Sequence, residues 1–258
     1  MSFKQLLPRR TSRPRSQAGK ASTKHTRPLH RPHVERLEDR TLLSGWAFGL
    51  VPPSPIGGNG NDIVADASGN SYVTGNFGGT VDFDPGPSAS NLTSAGGLDI
   101  FVAKYSPTGA LIWADRFGGM GDDSHGQGIT VDATGNVFAS GGFVGTADFD
   151  PGPATYNLTS AGLIDGYVMN LDANGNLVWV AQIAGSSGSD AAMSIAVGAD
   201  GSVYTTGGFF GTTDFDSSAA TFSLTSSGDL EAFVMKLDAS GNFVWAQRAG
   251  GTGWDAGK

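Results

Sequence analysis

The segment Asp172-Ala173-Asn174-Gly175-Asn176-Leu177-Val178-Trp179 returns 66 residues later as Asp238-Ala239-Ser240-Gly241-Asn242-Phe243-Val244-Trp245. In both, a turn signal runs directly into an apolar stretch that carries a tryptophan. The pattern Asp-x-x-Gly-Asn suits a type I turn closed by a residue at positive φ, which glycine adopts without steric penalty. It recurs from Asp66 to Asn70 and from Asp132 to Asn136. A turn of one kind, repeated and followed by β-forming residues, points to a chain of hairpins.

Moving outward from these turns, the period is uniform. Trp113, Trp179 and Trp245 are 66 residues apart, and the same spacing links Asp82, Asp148 and Asp214, and Ile63, Ile129 and Ile195. No insertion interrupts it, so the chain reads as repeats at 61–126, 127–192 and 193–258, and a fixed period of this size governs the fold ahead of any local assignment. In the middle copy, Ile129 to Asp132 alternates, Ala133 to Asn136 turns, and Val137 to Phe143 is rich in β-formers: a hairpin. A second hairpin runs from Gly166-Tyr167-Val168-Met169-Asn170-Leu171 through the turn at Asp172 to Leu177-Val178-Trp179-Val180-Ala181. Between the two lies a loop of about 20 residues, Gly145 to Ile164.

Four short strands per repeat and no helical periodicity match the four-stranded antiparallel blade of a β-propeller. The expectation is an all-β, propeller-like fold of three tandem blades. A β-sandwich is the alternative, since it too is built from short alternating strands, but sandwich strands are not sequence repeats. A propeller ring takes four to eight blades. Three imply an incomplete ring, read as a piece of a longer protein or as a half-ring completed by a second copy that covers the open sheet edges. Residues 46–60 read as a partial strand, Trp46-Ala47-Phe48, and a linker.

Through segments such as Gly135-Asn136-Val137-Phe138-Ala139-Ser140-Gly141 and Gly175-Asn176-Leu177-Val178-Trp179, residues 61 to 250 resemble the bacterial SBBP-type β-propeller repeat. The resemblance implies the fold and an exported protein, and is nearly silent on function.

Charge divides the 258 residues sharply. The first 45 hold eleven Lys or Arg against three acids, and the other 213 hold five against twenty-one. An acidic body repels nucleic acid and anionic membrane, which excludes both as expected partners. Its 40 glycines exceed the usual share of about 7% and belong to turns. There is no cysteine, hence no disulfide, thiolate metal site or cysteine nucleophile. No apolar stretch approaches the roughly 20 residues of a transmembrane helix or the core of a signal peptide.

Residues 1–45 read as a disordered basic tail with too little apolar surface to offset the entropy of ordering. Near its end, Val34-Glu35-Arg36-Leu37-Glu38-Asp39-Arg40-Thr41-Leu42-Leu43-Ser44 resembles the LEPR-XLL motif of large exported bacterial surface proteins, with Asp39 where that motif usually has proline. The resemblance implies an extracellular or cell-surface location.

The chemically suggestive feature is the triplet Asp-Phe-Asp, at Asp82-Phe83-Asp84, Asp148-Phe149-Asp150 and Asp214-Phe215-Asp216. In extended backbone the two carboxylates share a face and the phenylalanine points the other way, into the core. Two readings stand. Paired carboxylates beside carbonyl-rich turns suit Ca²⁺, which takes six to eight oxygen ligands, with Asp99, Asp165 and Glu231, seventeen residues after each first Asp, supplying more. Alternatively the aspartates accept backbone N–H bonds and shape the turns that Pro85-Gly86-Pro87 and Pro151-Gly152-Pro153 continue; the third copy has Ser217-Ser218-Ala219 there. The tryptophans, like Phe77, Phe143 and Phe209, lie in apolar strands and read as packing between blades. A sugar platform would need an exposed ring on a loop.

Enzyme readings fail on inventory. His125 is the lone histidine of the repeats, its equivalents are Ala191 and Gly257, and no nucleophile elbow or metal-ligand spacing accompanies it. The expectation is an exported or cell-surface non-enzymatic scaffold, possessing no assigned cofactor beyond the Ca²⁺ reading, whose inter-hairpin loops meet a protein or glycan surface. A passive spacer in a large surface protein is the alternative, and a propeller hydrolase or lyase a third reading.

Overall fold

The chain divides into two units, Met1–Ser44 and Gly45–Lys258. The computed structural model describes residues 58–121, 124–251 and 253–257, all in the second unit. The basic tail, its motif and Trp46-Ala47-Phe48 lie outside the described residues.

Those residues form sixteen strands and no helix. The first repeat is a sheet of β1 (Gly58–Ala65), β2 (Ser71–Asp82), β3 (Asn91–Tyr105) and β4 (Leu111–Phe117), antiparallel and in sequence order. In the second repeat β5 (His125–Val131) and β6 (Val137–Phe143) make the first hairpin. A small ribbon follows, β7 (Thr146–Asp148) with β8 (Asn157–Thr159), and then the second hairpin, β9 (Asp165–Leu171) with β10 (Leu177–Gly185). The third repeat copies the second: β11 (Ala191–Val197), β12 (Val203–Phe209), ribbon β13 (Thr212–Asp214) and β14 (Ser223–Thr225), then β15 (Glu231–Leu237) and β16 (Phe243–Ala249). Their four long strands pair as β5-β6-β9-β10 and β11-β12-β15-β16.

Two details differ from the sequence reading. The strands open at Gly58, His125 and Ala191, two or three residues ahead of the expected repeat starts, because those residues pair with Phe77, Gly142 and Gly208 at the far end of the next strand. The stretch Gly145 to Ile164 is not a plain loop, since it holds the ribbon. In the first repeat that ribbon is continuous with β2 and β3, past an irregularity between Gly78 and Thr80. Threonine pairs brace all three ribbons, with hydroxyls 2.8–2.9 Å apart at Thr80–Thr93, Thr146–Thr159 and Thr212–Thr225.

The first two strands of every blade share a bulge, and glycine is needed opposite it. A Cβ at Gly75, Gly141 or Gly207 would strike the carbonyl oxygen of Asn59, His125 or Ala191. The bulge thus brings two backbones closer than any side chain allows.

Blades pack face to face in chain order. Strand β5 lies over β1, β2 and β3, and β11 over β5, β6 and β9. The cores therefore form between blades: Ile100, Val102 and Phe117 of the first meet Ile129, Met169 and Leu171 of the second, and Phe138, Val168 and Ile183 of the second meet Phe233, Met235 and Leu237 of the third. An aromatic trio recurs with the period, Phe77–Phe83–Phe101, Phe143–Phe149–Tyr167 and Phe209–Phe215–Phe233, all buried, with neighbouring centroids 5.0–5.5 Å apart at the Asp-Phe-Asp ring. Each such ring contributes about 1.5–3 kcal/mol by burial. The expected inward direction of Phe83, Phe149 and Phe215 is what the structure has.

Candidate functional site

The ribbon of each blade ends in an Asp-Phe-Asp turn. Asp148 Oδ1 accepts N–H bonds from Asp150 (3.0 Å) and Tyr156 (2.8 Å), and Asp150 Oδ1 accepts one from Gly152 (2.7 Å). Asp82 does the same with Asp84 and Ser90, and Asp84 with Gly86. In the third copy Asp214 takes the N–H groups of Asp216 and Phe222, and Asp216 that of Ser218, so the loop keeps its form without the Pro-Gly-Pro. Backbone bonds from Phe83, Phe149 and Phe215 to the carbonyls of Ser90, Tyr156 and Phe222 close each loop. One carboxylate oxygen thus ties together backbone N–H groups six residues apart.

The acids seventeen residues further on do not join the triplets. Asp99, wholly buried, accepts the Ala95 N–H (2.8 Å) and an Arg116 N–H (2.7 Å) on Oδ2. Asp165 accepts the Ala161 N–H (2.9 Å) and the Gln182 amide (2.7 Å), and Glu231 the Ser227 N–H (2.7 Å) and Arg248 (3.2 Å). Arg116, Gln182 and Arg248 are 66 residues apart, so one acid anchor per blade pins the chain as it leaves the ribbon, with an amide replacing the cation in the middle copy. Among the described residues no three acidic or histidine side chains converge into a group that could hold a metal ion.

The hairpin turns use aspartate in a related way. Asp172 Oδ1 accepts the N–H groups of Asn174 and Asn176, and its Oδ2 the Asn176 side-chain amide. That amide, with the backbone donors, holds the Asp172 carboxyl below the usual range. Gly69, Gly135, Gly175 and Gly241 close these turns at φ 82, 89, 92 and 82°, as the turn type demands.

These turns also join the blades. Trp113 Nε1–H donates to the Ala173 carbonyl across the junction (3.2 Å), and a Cβ on Gly175 would strike the Asp115 carboxylate and come within 3.3 Å of the Trp113 ring. Trp179 repeats the arrangement on Ala239 (3.3 Å) and Gly241. Both tryptophans are half-buried junction contacts, but Trp245 is 36% exposed. Asp115 lies beneath Gly175 at the first junction, where burial pushes its carboxyl up to about 6. At the second junction Asp190 accepts the Phe210 N–H (2.8 Å) and the Thr213 hydroxyl (3.2 Å), and burial pushes it up to about 7. Sequence reading missed both; their equivalents in other copies are not acidic, so the period gave no signal.

Among the polar residues that face outward from the ribbons and their loops, the second and third repeats also expose Tyr156, Leu163 and Phe222. A groove of about 270 Å³ between the turns at Asp132 and Gly198 falls below the size of an ordinary ligand pocket, ~300–1,000 Å³. His125 lies on β5 with no acidic or nucleophilic partner among the described residues.

No family model matches the chain. It is 28% identical over 178 residues, 57% of its length, to an uncharacterised WD repeat-containing protein of Acanthamoeba polyphaga mimivirus. The match spans only 12% of that protein. Four antiparallel strands per repeat are common to both kinds of blade, and once the ribbon is set aside the repeat falls near the 40–45 residues of a WD unit.

Proposed function

We propose that the chain is a non-enzymatic β-propeller-type scaffold of an exported or cell-surface protein, which presents its ribbon loops to a protein surface. The observation that carries this reading is the contrast between blade and ribbon. Blade side chains are spent on packing, while each ribbon is braced by a threonine pair and a carboxylate-closed turn, and the second and third repeats hold Tyr156, Leu163 and Phe222 toward solvent there. Insertions carried by every repeat map to one side of such arrays, commonly the side that binds, and preorganised loops lose little entropy on association. Likeness to a WD repeat-containing protein supports the scaffold reading. The location rests on the motif-like segment from Val34 to Ser44.

Protein and glycan arrays probed with the chain and with a Tyr156→Ser, Leu163→Ser, Phe222→Ser variant test the reading. Binding to proteins that the variant loses supports it. Binding to glycans alone moves the ligand class, and no binding on either array leaves the chain a spacer. Surface proteolysis of cells expressing the chain with and without residues 34–44 tests location: equal protection of both from the protease sinks export through this segment.

A further inference from the structure

We propose that Asn174 is a site of slow self-modification, at which loss of the side-chain amide loosens the latch between the first and second blades. Two Asn-Gly pairs stand in the sequence, Asn59-Gly60 and Asn174-Gly175. An asparagine before glycine is the pair best disposed to this reaction, because glycine places no Cβ in the path of its own nitrogen. Gly175 N attacks Asn174 Cγ, the Cγ–Nδ2 bond breaks, ammonia leaves, and the glycine's amide proton passes to solvent. Water then opens the five-membered imide at either carbonyl, which gives aspartate or isoaspartate at 174.

The local structure selects Asn174. It is exposed at the hairpin between β9 and β10. Its backbone N–H bonds Asp172 Oδ1 (2.8 Å), but its side-chain amide has no hydrogen-bond partner among the described residues. The Asn176 amide, by contrast, is held by Asp172 Oδ2 (2.8 Å), and a leucine follows it. Asn59 and Gly60 lie within β1, in register with Asn76 and Gly75, so the sheet holds that pair extended. In the other five turns of this kind the residue before the glycine is Ser68, Thr108, Thr134, Asp200 or Ser240, none of them an amide. One bond opposes the attack, since Gly175 N–H donates to the Asp172 carbonyl (3.0 Å). The reaction waits for that bond to open, and is slow.

This turn is also half of a blade junction. The Ala173 carbonyl receives Trp113 Nε1–H (3.2 Å) and Lys104 Nζ (3.3 Å) from the first blade, and Gly175 lies against the Asp115 carboxylate and the Trp113 ring. Isoaspartate lengthens the backbone between residues 174 and 175 by one carbon, so the carbonyl and the glycine can no longer both keep their places. Either product adds a negative charge to a turn that already holds Asp172, with Asp115 beneath it, and like charges this near repel. At the second junction, where Trp179 bonds Ala239, Ser240 stands in the place of Asn174 and the latch has no such weakness. Nothing in this chemistry depends on what the ribbons bind.

Incubation of the full chain at mildly alkaline pH, followed by peptide mapping by mass, tests it. The control is Asn174→Ser, which copies the turn of the third blade. The expected result is conversion of Asn174 to aspartate and isoaspartate, more slowly than in a synthetic peptide of residues 172–179 and ahead of Asn59. The converted chain, separated by its added negative charge, should show a lower urea midpoint and faster hydrogen exchange around Trp113, with exchange around Trp179 unchanged. Incubated Asn174→Ser should show neither change. Asn174 left intact once the peptide has fully converted overturns the proposal, as does conversion of Asn59 first. So does a converted chain whose midpoint and exchange match those of the fresh chain, or the same loosening in incubated Asn174→Ser.

Discussion

Trp113 Nε1 lies 3.2 Å from the carbonyl oxygen of Ala173, sixty residues on and in the next blade. This bond shows why the turn glycine is fixed twice over. Gly175 must reach φ 92° to close its own hairpin and must lack a side chain because a Cβ there would strike the Asp115 carboxylate and crowd the indole, as a Cβ on Gly241 would strike the Trp179 ring. Gly135 meets only the first demand, since at φ 89° a Cβ there would make ordinary contact with the Ala173 side chain, 3.4 Å away. Replacing each with alanine separates the two effects. Gly135→Ala is expected to cost about 1 kcal/mol through positive φ alone. Gly175→Ala and Gly241→Ala should cost about 1–3 kcal/mol more, the range for overpacking, read as midpoint shifts in urea unfolding. Equal losses at all three would mean that the contacts across the junction do not matter.

Tyr167 is fully buried and its hydroxyl has no hydrogen-bond partner among the described residues, at a position where the flanking repeats have Phe101 and Phe233. An unsatisfied buried polar group costs about 1–3 kcal/mol. Tyr167→Phe is therefore expected to raise stability by about 1 kcal/mol, seen as a higher melting temperature. A fall would show that the hydroxyl has a partner the polypeptide does not supply, such as a buried water.

Much of this was legible in the sequence because the period is uninterrupted: strand order, turn type and the inward direction of Phe83, Phe149 and Phe215 each recur three times and reinforce one another. The ribbons were not. Thr146-Ala147-Asp148 and Asn157-Leu158-Thr159 have one apolar residue each, too short a run for a period of two to show. At the candidate site the sequence indicated paired carboxylates but not their use. The groups they bind are backbone N–H donors at Ser90, Tyr156 and Phe222, which have no residue-type signature. The buried acids were illegible for the opposite reason. Asp99 and Arg116 lie on adjacent strands, and only the register between β3 and β4 brings them together.

Acid should stabilise the blade junctions. Asp190 and Asp115 have carboxyls raised to about 7 and about 6 in the folded chain, against roughly 3.9 when exposed. Between those values the folded state holds more protons than the unfolded, so stability falls as pH rises. The hairpin aspartates Asp66, Asp132 and Asp172, held low by their hydrogen bonds despite the opposing effect of burial, act in the reverse sense and lose their contribution as pH drops below about 4. Stability should peak at about pH 4 and decline from there toward pH 7. Asp190→Asn should flatten the decline toward pH 8, with a gain there of at most about 4 kcal/mol. Melting curves from pH 4 to 8 that are flat in the wild type, or unaltered in slope by Asp190→Asn, would overturn this.

The Asp-Phe-Asp turns make the competing roles of carboxylate separable. If Asp148 acts by accepting the Asp150 and Tyr156 N–H groups, then Asp148→Ala leaves two donors without their acceptor and should cost about 1–2 kcal/mol, as the loss of a capping side chain does. Asp148→Asn keeps an acceptor oxygen in the same place and should recover most of that. A Ca²⁺ site ranks the variants differently, because the ion needs the charge: asparagine would then be nearly as damaging as alanine, and only in the presence of the ion. With Asp165 bonded to Gln182 and Ala161 rather than to the triplet, a turn offers two carboxylates against the six to eight oxygens calcium takes. The expected melting temperature is therefore the same in calcium and in chelator. A site filled to 100 times its Kd would instead stabilise the fold by about 2.7 kcal/mol, and a shift of that order, abolished in Asp148→Asn, would assign the carboxylates to the ion.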